Sequence, residues 1–321
     1  NTAGTTNAIA VTNNGTNVTN STTYTHMKIT YFDPSTSTVS IGGTTYDFYP
    51  NTFTSTNCST MTASNAAISS TPAASIAYYR DTRNNQTYKI KKMVDGKCWM
   101  VDNLKYTNTT IANTADGTTG MTYNNTGGVY NTVDGTDTQS TANSDKAFYN
   151  NPMSVANCYS STYAPANTLT NCGYLYNWYA ATNGTGKYAN AANTQATGSI
   201  CPTNFRLPSA TSDGTTATTT GIAVVAADFP VLNASMNAGA LATGAITSYP
   251  TGWQPSGAWG GAFSGNWTTG LTNQGSYGYF WSSTADSATN ARFAGFLSLT
   301  VRPGSVTGDK VFGFAVRCVL P

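Results

Sequence analysis

The chain has 321 residues and 33.6 kDa, is 9% charged, and has a formal net charge of +2. A typical globular domain carries about 25% Asp, Glu, Lys and Arg, so its solvation falls to hydroxyls and amides: the sequence holds 58 Thr, 33 Asn and no Glu. No basic cluster exists beyond Lys89, Lys91 and Lys92 to meet a nucleic-acid backbone, and no run of 18 apolar residues could span a membrane, since the most apolar stretch, 222–232, contains Asp228 and Pro230.

In chain order, residues 1–57 read as a Thr/Asn-rich β segment. Ile9, Val11 and Val18 lie among polar residues, which suits an assembly strand but cannot make a core. From Met27 to Phe48 the apolar residues alternate, with Asp33-Pro34-Ser35 and Gly42-Gly43 as turns, which predicts a small β-meander. Residues 58–321 read as the main domain. Strands are predicted on either side of the turn Asp81–Asn85, then after Asp95-Gly96, a hairpin signal, through Cys98–Val101. Residues 107–150 read as long loops. Ile222, Val225, Phe229, Leu232 and Met236 have helical spacing, with Pro230 early in the helix or at a kink. Strands are predicted around Phe293–Leu297 and from Val311 to Cys318. The fold class is α+β, strand-rich with long loops.

The six cysteines are Cys58, Cys98, Cys158, Cys172, Cys201 and Cys318, none in a CxxC pair. With one His in the chain, an even count points to three disulfides and an oxidising compartment rather than to zinc. Six cysteines allow 15 pairings. The preferred one is sequential: Cys58 with Cys98, Cys158 with Cys172, Cys201 with Cys318. The chain opens on polar sequence without a signal peptide, which suits a mature exported protein. Sequons such as Asn14-Gly-Thr and Asn266-Trp-Thr are numerous, but a Thr/Asn-rich chain produces them by chance.

Five ordered motifs then stand out: Tyr88–Leu104 (YKIKKMVDGKCWMVDNL), Gly173–Ala181 (GYLYNWYAA), Ile200–Ser209 (ICPTNFRLPS), Gly278–Thr284 (GYFWSST) and Gly313–Val319 (GFAVRCV). Over about residues 76–321 the chain resembles the Fibrobacter succinogenes major paralogous domain, found in secreted and envelope proteins of bacteria. The resemblance implies a C-type lectin-like fold in which the chain's end returns to its middle, with the Arg206-Leu207-Pro208 and Trp281-Ser282-Ser283 motifs in the core. It implies no established chemistry.

Lectins of that fold hold calcium and sugar through carboxylate-bearing motifs, whereas Gln254-Pro255-Ser256 and Asn266-Trp267-Thr268 lack the carboxylates. Asp134, Asp137 and Asp145 match no calcium-loop spacing, so no metal or cofactor is expected. Trp253, Trp259 and Trp267 are candidate sugar-stacking residues, weighed against simple packing. His26 lies outside the resembling region, which leaves no general base for a Ser or Cys nucleophile, and no catalytic residue is assigned. The functional expectation is a non-catalytic extracellular protein of the bacterial cell surface, self-assembling as a homo-oligomer or polymer into a filament or layer. The alternative is a glycan-binding adhesin module.

Overall fold

The structure, a computed structural model, describes residues 50–110, 173–211, 227–236 and 251–321 (apart from Thr269 and Ser298), together with Gly120 and the backbone course of short strands elsewhere. Near the N-terminus β1 (Thr12–Asn13) pairs antiparallel with β2 (Thr16–Asn17). The alternating run that follows folds as β3 (Ile29–Asp33), β4 (Thr38–Ile41) and β5 (Thr44–Asp47), an antiparallel meander with Val39 in register between Phe32 and Tyr46. Ile9, Val11 and Val18, and His26, lie outside the described residues.

A short helix, α1 (Ser55–Thr60), starts where the Thr54 and Asn57 side chains cap each other's backbone N–H groups, and it presents Cys58 inward. Next come β6 (Ile76–Asp81), β7 (Gln86–Lys92) and β8 (Cys98–Met100). The β6–β7 turn places Asn85 at φ 59°, and the β7–β8 turn places Gly96 at φ 84°, the left-handed region that the Asp-Gly pair anticipates. Asp95 Oδ1 accepts from Lys97 N at 3.0 Å and fixes that turn.

The remaining strands are β9 (Thr122–Tyr123), β10 (Phe148–Asn150), β11 (Leu175–Tyr176), β12 (Asn266–Trp267), β13 (Leu271–Thr272), β14 (Gly278–Ala285), β15 (Asn290–Phe296), β16 (Val301–Asp309), β17 (Phe314–Ala315) and β18 (Val319–Leu320). The helices α2 (Trp178–Ala181) and α3 (Asp228–Met236) lie between them, α3 with Pro230 in its first turn, where the missing N–H costs nothing. Mostly sheet with few helices, the architecture is α+β.

Two sheets carry the main body: a seven-stranded one in the order β16-β15-β14-β17-β11-β10-β9, and a four-stranded one in the order β18-β8-β7-β6. In the larger sheet strand alternation decides the packing. Leu175, Phe280 and Ala315 join one buried cluster with Trp99, Phe229, Trp253, Trp259 and Phe296. Their chain neighbours Tyr176, Trp281 and Phe314 join the other, with Trp178, Phe205 and Val316. Both faces are therefore covered, and the sheet's central strands need apolar residues at consecutive positions.

The C-terminus closes onto the middle of the chain: β18 pairs with β8, with Leu320 opposite Cys98, and Arg206 bridges to Val319. Two disulfides, Cys58–Cys98 and Cys201–Cys318, lock this junction. Cys158 and Cys172 lie outside the described residues.

The structure departs from the sequence-based elements in three places, one being Val311–Cys318, where only Phe314–Ala315 is strand and residues 310–311 form a turn. The segment 301–309 is a nine-residue strand, although Pro303, Gly304 and Gly308 read as loop. It is an edge strand whose register shifts around residues 304–305, so Pro303 sits where an edge tolerates a missing N–H. Residues 107–150, expected as loops, contain β9 and β10.

Candidate functional site

β14 parts from β15 between Trp281 and Ala285, where the antiparallel register is broken. The freed backbone of residues 283–285 takes other partners. Ala196 N donates to Ser283 O (2.8 Å), Asn193 N to Ala285 O (2.9 Å), and Ser283 N to Pro208 O (2.8 Å). Thr284 Oγ1 accepts from Ala210 N at 2.9 Å and donates to Ala210 O at 3.1 Å. Two loops, 193–199 and 205–211, are thus fastened along one strand end. Between them and the start of α3 opens a cleft of about 860 Å³, a size typical of small-molecule sites.

The cleft wall sets hydroxyl and amide groups around a larger apolar area. Asn193, Gln195 and Thr197 are exposed, Ser199 and Ser209 half-buried, and Phe205, Leu207 and Ala227 supply buried apolar floor. Gln195 is held from both ends: its Oε1 accepts from Ser283 Oγ at 2.5 Å and its Nε2 donates to Thr284 Oγ1 at 2.8 Å.

Arg206 is the one Lys, Arg, Asp or Glu among the described lining residues. Beneath it lies Asp228, 1% exposed, at the first turn of α3. Asp228 accepts from Arg206 Nη1 (2.5 Å) and Nη2 (3.0 Å), from Lys97 Nζ (2.5 Å), and from Ser209 N (2.7 Å) and Oγ (2.8 Å). Burial pushes its carboxyl up, but the Arg206 guanidinium, then Lys97 and the Ser209 amide, outweigh that and hold it down at about 2. Asp228 therefore stays ionised at neutral pH and joins three separate segments: the β7–β8 hairpin, the Arg-Leu-Pro motif and α3.

The arginine of the last motif is internal. Arg317 is buried, with Nε donating to Asn103 Oδ1 (2.7 Å), Nη1 to Trp259 O (2.6 Å) and Nη2 to Gly260 O (2.8 Å), and its guanidinium lies 4.4 Å from the Trp259 ring centre. Gly260 needs its φ of 60°, and a Cβ there would lie 2.6 Å from Ile68.

The candidate sugar-stacking tryptophans are corrected by their placement. Trp253 and Trp259 are 0% exposed and Trp267 is 6% exposed. Trp253 and Trp259 pack edge to face at 4.9 Å, between Phe229 and Phe296. Rings enclosed on both faces offer no platform for a sugar. The motifs that stand in place of a calcium site are likewise spent within the fold. Gln254 Nε2 donates to Leu297 O at 3.3 Å, and Asn266 Oδ1 accepts from Thr272 Oγ1 (3.0 Å) and Asn273 Nδ2 (2.7 Å). Asp134, Asp137 and Asp145 lie outside the described residues. Among those that are described, no three His, Cys, Asp or Glu side chains are grouped to hold a metal, and no helix is long and apolar enough to cross a membrane.

Sequence reasoning put Arg206 and Ser283 in shared-core motifs but missed Asp228 and Gln195. Asp228 had a signal: it is the single charge within the most apolar stretch of a charge-poor chain, and a charge retained there needs partners. Gln195 had none.

A family model for the Fibrobacter succinogenes major domain matches residues 93–320. No curated protein and no solved structure matches the chain.

Proposed function

Because this chain belongs to the Fibrobacter succinogenes major domain family, we propose that it is an exported, non-catalytic protein of the bacterial cell surface. On this reading it is built on a C-type lectin-like scaffold and assembles with copies of itself into a filament or layer. The observation that carries the proposal is where its few charges go. Among the described residues, Lys91, Arg292, Lys310 and Arg317 are buried, and so are the carboxylates of Asp81 and Asp228, each paired with a partly exposed cation: Arg83 for Asp81, Lys97 and Arg206 for Asp228. An exterior already short of charge loses more of it to the interior. What remains is hydroxyl and amide, which hydrogen-bond to a like surface without the like-charge repulsion that keeps ordinary proteins apart. The two disulfides suit such a protein to an oxidising exterior.

The assembly contact is assigned to the N-terminal segment that carries Ile9, Val11 and Val18 around the β1–β2 hairpin, which would add a strand to a neighbouring copy, since main-chain hydrogen bonds supply affinity without charge. The β16 edge, blunted by Pro303 and its bulge, is a poor acceptor for that strand, so the receiving edge lies elsewhere. Deletion of residues 1–20 tests this. Electron microscopy of the purified, unreduced full chain is expected to show polymers, and the truncated chain to remain folded and unassembled. Polymers that survive the deletion would refute strand donation.

A further inference from the structure

The cleft between loops 193–199 and 205–211 has a chemistry that assembly does not require. Arg206 supplies half of that chemistry. Its end-on pair of donors grips Asp228, and Nη1 also donates to Leu207 O at 3.0 Å. Those bonds use both Nη1 hydrogens and one Nη2 hydrogen. The other side of the guanidinium, Nε–H with the second Nη2–H, has no partner among the described residues, and the side chain is 41% exposed at the cleft wall. A planar pair of donors, rigidly aimed by a buried carboxylate, is a bidentate receptor for a second carboxylate.

The rest of the wall supplies the other half. No acidic side chain is among the described lining residues, while Asn193, Thr197 and Ser199 present an amide and hydroxyls from a single loop pinned to β14, above the apolar floor of Phe205, Leu207 and Ala227. Such groups donate and accept alike, which suits a ligand dense in hydroxyls. The cleft's volume exceeds what a lone small anion needs.

We propose that this cleft binds a carboxylate-bearing saccharide, with the free side of Arg206 taking the carboxylate and loop 193–199 the hydroxyls. The site is independent of the buried tryptophans and of calcium, and it goes beyond the assembly reading: a chain that never polymerises would still bind.

Calorimetric titration of the full chain with a uronic-acid tetrasaccharide, its carboxyl-reduced counterpart and inorganic phosphate tests it. Binding of the acidic sugar is expected, weakened by about tenfold or more when the carboxylate is removed, with phosphate weaker than the acidic sugar. Arg206→Lys keeps the charge but lacks the second pair of donors and should lose a similar factor. Thr197→Trp, at an exposed wall position away from Asp228, should block binding with no change in thermal unfolding. Absence of binding to the acidic sugar, equal affinity for the reduced sugar or for phosphate, or undiminished binding by Thr197→Trp would overturn the proposal.

Discussion

Asp228 shows how much one side chain can carry when charges are scarce. Its carboxylate is held near a pKa of about 2, below the unfolded value of 3.8, so its stabilisation is complete above about pH 4 and is lost as pH falls through 2. That loss should be on the order of 2 kcal/mol, measurable as a falling urea midpoint between pH 4 and 2 that is absent in Asp228→Asn. At neutral pH the same substitution leaves Lys97 and Arg206 without their anion and should cost about 3 kcal/mol. A midpoint unchanged at pH 7 would show that the cluster is not a structural hub.

Lys91 and Lys310 make the opposite case. Each is buried and, among the described residues, donates to backbone carbonyls alone: Lys91 to Ala66 and Ala258, Lys310 to Ala189 and Ala288. Burial lowers both to about 8, below the unfolded 10.5. The folded chain therefore releases these protons before the unfolded chain does, and stability should rise between pH 8 and 10.5. A gain on the order of 1–2 kcal/mol per lysine is expected by pH 9.5. Chemical denaturation at pH 7 and 9.5 checks the sign, and Lys91→Met should remove about half of the gain.

Among the elements, the two observed disulfides differ in reach. Cys58–Cys98 spans 40 residues and ties α1 to β8, while Cys201–Cys318 spans 117 and holds the C-terminus. Chain-entropy reasoning gives about 4 and about 5 kcal/mol respectively. Paired Cys→Ala substitution should therefore lower the denaturant midpoint in both cases, and more for Cys201/Cys318, whose loss also releases β18 from β8. Equal midpoints in the intact and doubly substituted proteins would show that packing alone holds the junction.

The local signals in the sequence were clearest at this scale. Asp95-Gly96 and the alternation around it gave the β7–β8 hairpin, and the helical spacing around Pro230 gave α3. What stayed hidden depends on long-range pairing. β16 is disguised by the Pro and Gly that an edge strand and its bulge need, and the cleft is assembled from residues 193–211, 227 and 283, which no local pattern connects. The side on which a tryptophan is covered is equally non-local: Trp253 and Trp259 look the same in sequence whether they stack on a sugar or on each other.

As a whole the molecule is a disulfide-locked, two-sheet body of few charges, some of them, such as Lys91, Lys310, Arg317 and Asp228, taken inside, which leaves a surface rich in hydroxyls and amides. Such a surface should self-associate with little dependence on salt, since few exposed charges exist to be screened. The most direct measurement is sedimentation velocity of the unreduced full chain over a wide concentration range, at low and high salt. The account predicts a weight-average mass that climbs well beyond the 33.6 kDa of one chain, alike at both ionic strengths. A species that stays at the mass of a single chain up to the highest concentration would contradict it.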